Sequence, residues 1–235
     1  MTTPARALVV AALALAACKG GGGAGPDGLP GLDHNWTVAE QARAAAVLDR
    51  LCDLGPTRLP GYGSAAFARL VAAANRATLP AGPALERQVA MSAHTDAVLA
   101  MYLTYHRCGR PVETLAVNAA LLEGYAAALP LSRELAARPD GTAAQRQARA
   151  DGVAQIEGGL VGGIDSTVAM LVDPDLGAGV PLEVAARLGT AIALVRAELR
   201  AGALDGSIAH LAAAAAAEPD PTRRATLAAA LAPLR

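Results

Sequence analysis

Chemistry in this chain would have to come from four histidines, three cysteines and a thin supply of aromatic and acidic side chains. His34, His94, His106 and His210 contain no pair three or four residues apart and no Glu-x-x-His unit, the spacings that put two metal ligands on one helix face. No metal and no cofactor is expected. His94 and Asp96 stand two apart and point to different faces of a helix. An enzyme would need His94, His106, Glu157 or Asp165 to meet in one cleft from distant positions. Ser64 follows "GYG", but the pattern is not the G-x-S-x-G of a nucleophile elbow, and a helix N-cap accounts for the serine. "GGLVGG" at 158–163 has neither the spacing nor the lysine of a phosphate loop. With no catalytic motif, the chain is read as a non-enzyme. Its densest soft and aromatic group is Met91, Met101, Tyr102 and Tyr105. These residue types fill cores, and they also line apolar ligand pockets; core is the reading here, with a pocket between long helices as the alternative.

Those residues need elements to hold them. The chain has 235 residues, 53% hydrophobic but only 3% aromatic, so its core must be built from alanine, leucine and valine. That composition favours helices over strands. A net charge of −1 supplies no basic footprint for nucleic acid. The expected class is all-α, a bundle or stack of antiparallel helical hairpins with about eight or nine helices. Thr37 and Glu40 form a capping box for the first, which stops at Gly55-Pro56. Ser64 caps a second, ending at Pro80; Pro83 opens a third that breaks at Gly109; Pro111 opens a fourth that Pro130 closes. A short piece from Ser132 to Arg138 follows, then a long helix from Thr142 to about 173, another from Pro181 to Gly202, and two at 205–217 and 221–232. Val153 to Val172 has the length of a membrane span, but Glu157 and Asp165 interrupt it. The glycines of "GGLVGG" are expected to let a neighbouring backbone approach a central helix.

The amino end has its own logic. Met1 to Arg6 carries one positive charge, and Ala7 to Ala17 is an apolar run too short to span a membrane but right for a signal-peptide core. Leu15-Ala16-Ala17-Cys18 resembles the lipobox of bacterial lipoproteins. The resemblance covers residues 1–18 and implies a diacylglyceryl group on Cys18, cleavage just before it, and membrane lipid as a partner through acylated Cys18. It also implies an extracytoplasmic home in the cell envelope. In enterobacterial lipoproteins an aspartate after the cysteine favours the inner membrane, so Lys19 points to the outer one. The implied organisation is a signal peptide at 1–17, a lipidated cysteine with a glycine-rich flexible tether at 18–35, and a single helical domain at 36–235. Outside the cytoplasm disulfides persist, and with Cys18 lipidated Cys52 and Cys108 remain as an even pair. They end the first and third helices, which share a pole in an up-down-up arrangement. A bridge is expected, with two buried free thiols as the alternative.

"AGALDGSIAHLAAAAAAEPDP" resembles one tetratricopeptide hairpin, with Gly202 ending one helix, Ser207 and Ile208 opening the next, Ala214 at the crossing and Pro219 closing the unit. "RCGRPVETLA" echoes it in part, though no whole number of 34-residue repeats separates the two glycines. An ordinary irregular bundle is the reading here, with repeat-like hairpins as the alternative. The functional expectation is a membrane-anchored helical body that acts as a protein-interaction or adaptor module, its partner another envelope protein. The alternative is a bundle that binds a small apolar ligand.

Overall fold

Side chains that can accept from free amide groups, and prolines that leave none to satisfy, mark where the helices begin. The computed structural model describes residues 28–31, 37–75 and 82–235, and eight α-helices lie among them. They are α1 (Val38–Leu54), α2 (Ala65–Asn75), α3 (Ala84–Arg107), α4 (Pro111–Ala136), α5 (Ala143–Val172), α6 (Leu182–Glu198), α7 (Asp205–Ala217) and α8 (Pro221–Leu231). No strand occurs among the described residues, and the protein is an all-α helical bundle. The stretch 1–17 read as a signal peptide, Cys18 and His34 lie outside the described residues.

The Thr37 box is made as expected: Thr37 Oγ1 accepts from the Glu40 amide at 3.3 Å, and Glu40 Oε2 accepts from the Thr37 amide at 2.9 Å. Thr142 and Gln145 do the same for α5, and Asp220 accepts from the Arg223 amide to start α8. Between α3 and α4 the chain reverses at Gly109, whose φ of +63° suits a residue without a Cβ.

The fourth helix is the centre. Alone among the described residues it is long and apolar enough to cross a membrane, yet 72% of its most apolar stretch is buried inside this fold. On one side α3 runs antiparallel to it, with Gln88 donating to Ser132 near one end and Thr95 beside Gly124 near the middle. On another, α5 is also antiparallel, tied by Asn118 to Thr167 and by Arg133 to Glu157. In contrast α6 runs parallel to α4, since Glu123 meets Arg187 and Arg133 meets Glu198. Hairpin pairing thus holds for α3–α4 and α4–α5, whereas α4 and α6 form a parallel pair.

The first helix lies parallel to the second half of α3. Gln41 reaches His94, Arg107 grips Asp49 and Asp53, and Cys52 is joined to Cys108 at disulfide distance with their Cα atoms 5.8 Å apart. One hydrophobic cluster extends from Leu29 to Leu234 through the whole body. Leu29 and Pro30, placed by the sequence in the flexible tether, are buried, and Leu29 joins that core.

Three expectations are corrected. Pro130 does not close α4, which continues through it to Ala136 and absorbs the separate piece expected at 132–138. The proline removes one hydrogen bond, but Leu129, Leu131 and Ser132 are all buried around it while Pro130 itself faces solvent. Burial on either side outweighs the lost bond. The glycines of "GGLVGG" meet nothing: a Cβ on Gly158, Gly159, Gly162 or Gly163 would enter open space. The close approach is made instead by Gly189 of α6, where a Cβ would stand 2.1 Å from the Ala230 carbonyl oxygen of α8. Finally, α6 and α7 do not pack together as the tetratricopeptide-like hairpin that the sequence offered as an alternative. The sixth helix ends at Glu198 and packs along α4 and α8, whereas α7 packs on α8 and α5, with Ser207 donating to Asp165.

Candidate functional site

The segment after α1 is short, rich in glycine and proline, and would wander if left alone. A 3₁₀ turn at Pro56–Arg58 leads into a bend that ends at the Ser64 cap of α2, where Ser64 Oγ accepts from the Phe67 amide at 3.1 Å. Three side chains fix this bend. Arg110 donates to the Pro56 carbonyl at 2.8 Å, Tyr105 donates to the Pro60 carbonyl at 3.0 Å, and Glu113 accepts from the Tyr62 amide at 2.7 Å. Glu113 is buried and paired with Arg110. Burial pushes its carboxyl up, but the guanidinium and the Tyr62 amide outweigh that and hold it below the usual value. Burial, helped by the charge on Glu113 and opposed by Arg110, pushes the Tyr105 phenol up, so it remains a neutral donor.

Phe67 stands edge-on between Tyr62, at 6.0 Å between ring centroids, and Tyr105, at 5.6 Å. Three of the chain's six aromatic side chains therefore gather at one place. The result is a fixed Tyr62 whose hydroxyl donates to Glu183 Oε1 at 2.8 Å, in the first turn of α6. Burial first, then the hydrogen bond and charge of Glu183, push the Tyr62 phenol up to about 12. The Glu183 carboxyl moves the other way: its own backbone amide and the Tyr62 hydroxyl hold it below its ordinary value.

Behind this pair lies a cleft of about 770 Å³ between α2, α4 and α6. Phe67, Val71, Ala116 and Val184 make its apolar interior, and Tyr62, Glu183 and Arg187 stand among its lining groups. Arg187 is turned to Glu123, with Nε and Nη2 donating at 3.0 and 2.9 Å. The arrangement can hold a body of carbon against aromatic and aliphatic walls and present a hydrogen-bonding, ionised edge to whatever that body carries.

The residues singled out in the sequence fall elsewhere. Met91, Met101 and Tyr105 are buried in the core, and Met101 borders a void of about 10 Å³. Of that group Tyr102 alone lines a second pocket, of about 270 Å³, with Leu99, Tyr125 and Ile156 between α3, α4 and α5; the exposed His106 stacks on the Tyr102 ring. His94 is buried against Gln41, whose Nε2 lies 2.8 Å from His94 Nδ1. Glu157 is held by Arg133 and Asp165 by Ser207, so these four groups have separate partners. Among the described residues no three His, Cys, Asp or Glu side chains could hold a metal ion.

Tyr62, Phe67, Glu183 and Arg187 are absent from the sequence-based candidates. The "GYG" triplet was the visible signal, since a tyrosine between two glycines is a side chain displayed by a turn; Glu183 is 121 residues away and carries no signal of its own. Comparison with known proteins finds no matching family model, no similar curated protein and no similar solved structure.

Proposed function

We propose that this chain is a lipid-anchored envelope protein whose helical body is a receptor for a small, partly apolar molecule, held in the cleft between α2, α4 and α6. The lipobox at Leu15–Cys18 supports the anchor. The cleft supports the receptor: its volume of about 770 Å³ falls in the range of roughly 300–1,000 Å³ typical of small-molecule sites, and its walls are apolar with few polar groups. Its rim is preorganised, since Tyr62 is held through its amide, its ring and its hydroxyl before any ligand arrives. A second reading, an adaptor for another envelope protein, is favoured by the groove of about 440 Å³ between α1 and α3, where Leu103 is 53% exposed.

Native mass spectrometry of the mature protein, purified gently from its own organism, separates the two. The receptor reading expects a co-purifying small mass that disappears in Ala68→Trp, which fills the cleft from the exposed side of α2. Absence of any small mass together with a stoichiometric protein partner would replace it with the adaptor.

A further inference from the structure

Resting on the receptor reading, we propose that the ligand is an organic cation: an ammonium group on a compact apolar body, with the head beside the Glu183 carboxylate and the Tyr62 ring and the body against Phe67, Val71 and Val184. The charge distribution at the rim carries this. Among the described residues the charged side chains lining the cleft are Glu183 and Arg187, and of these two Arg187 alone has its countercharge. Arg187 is engaged by both oxygens of Glu123. Glu183 has no cationic partner among the described residues; its carboxylate accepts from the neutral Tyr62 hydroxyl and its own backbone amide. Placement in the first turn of α6 keeps that carboxylate ionised, because the helix start favours negative charge.

An unmatched carboxylate over apolar walls selects by sign. An anionic ligand would bring like charges together at the rim, which costs binding energy. A neutral ligand would occupy the walls and gain from the carboxylate at most a hydrogen bond, without the attraction between opposite charges. An ammonium gains the carboxylate and also the electron-rich face of an aromatic ring, an attraction that strengthens as water is excluded. The Tyr62 ring is positioned for this by its edge contact with Phe67, and the Glu113–Arg110 pair holds its backbone.

The test uses three probes with one body: 3-phenylpropyltrimethylammonium, 3-phenylpropan-1-ol and 3-phenylpropanoate. Each is titrated into the intact, disulfide-bonded protein while the methyl resonances of Val71 and Val184 are followed by NMR. The expected result is that the ammonium binds at least about tenfold more tightly than the alcohol, a gap of about 1.4 kcal/mol, with the carboxylate weakest. Glu183→Gln should bring the ammonium down to the alcohol, and added salt should weaken the ammonium alone. Tyr62→Phe keeps the ring, so it should retain the preference for the ammonium. Binding of the alcohol or the carboxylate as tightly as the ammonium, with shifts at Val71 and Val184, overturns the charge inference and leaves the cleft as a receptor site. No shift at these methyls with any probe overturns both.

Discussion

Replacing Gly189 with alanine should destabilise the protein, although the same change at Gly158 or Gly162 should stabilise it. All three glycines lie inside helices, so each replacement gains up to about 1 kcal/mol of helix propensity. At Gly158 and Gly162 the new methyl enters open space and the gain survives, at about 0.5–1 kcal/mol. At Gly189 it would stand 2.1 Å from the Ala230 carbonyl oxygen, 2.8 Å from its carbon and 3.0 Å from its Cα. All three atoms are backbone, so no side chain can rotate away. Ordinary contact requires the two helices to part by about 1 Å or more. That separation also loosens Leu188 and Ile192 on α6 and Leu227 and Leu231 on α8, all buried. Overpacking typically costs about 1–3 kcal/mol, and a backbone contact belongs at the upper end. The net expectation is a loss of about 2 kcal/mol.

Thermal unfolding followed by circular dichroism, with the disulfide intact, reads this directly. At about 2–4 °C per kcal/mol for a chain of this size, Gly189→Ala should lower Tm by roughly 4–8 °C, and the two α5 variants should raise it by roughly 1–4 °C. A Gly189→Ala protein as stable as Gly158→Ala would refute the close crossing of α6 and α8.

Other outcomes follow from the same structure. Cys18→Ala should move the protein from the membrane fraction to the supernatant, and continued tight fractionation with membranes would contradict the lipobox reading. Thiol labelling of the denatured, unreduced mature protein should find neither Cys52 nor Cys108; the double serine variant should lose about 2–4 kcal/mol in urea unfolding, since closing a separation of 56 residues is worth about 4 kcal/mol by chain entropy. Burial lowers the His94 pKa below its unfolded value of about 6.5, so its contribution to stability is complete above that pH and is lost as pH falls through it, when the unfolded chain takes up a proton that the buried ring resists. The His94 ring protons should titrate with a midpoint below 6.5 in NMR, and a midpoint at or above that value would contradict its burial against Gln41.

Local rules were readable, and non-local pairings were readable only where local signals located both ends. The boxes at Thr37 and Thr142 depend on residues three apart, and both start helices where the sequence places them. The Cys52–Cys108 pairing is long-range, but it was legible because each cysteine sits at a helix end that capping and glycine signals locate. Pro130 misled because a local helix-breaking cost was weighed without the burial of Leu129 and Leu131, which only the tertiary structure supplies. The glycine run misled for a related reason: GxxxG spacing says that a backbone can be approached, not that a neighbour arrives. Gly189, isolated in sequence, is where one does. The cleft was invisible because its rim joins a bend after α1 to the first turn of α6, a pairing no periodicity announces.

A bond closed between Cys52 and Cys108, which lie at disulfide distance, also decides how the body bears a mechanical load. A pull entering from the amino end travels along α1 to Cys52 and there crosses directly to Cys108. Residues 53–107 hang from that junction as a closed loop and lie off the line of tension. They include the Tyr62 bend, all of α2 and all of α3, and so one wall of the cleft. With Arg107 clasping Asp49 and Asp53 beside the junction, such a load would be borne by α1 and handed to α4. The cleft between α2, α4 and α6 would keep its shape under that pull.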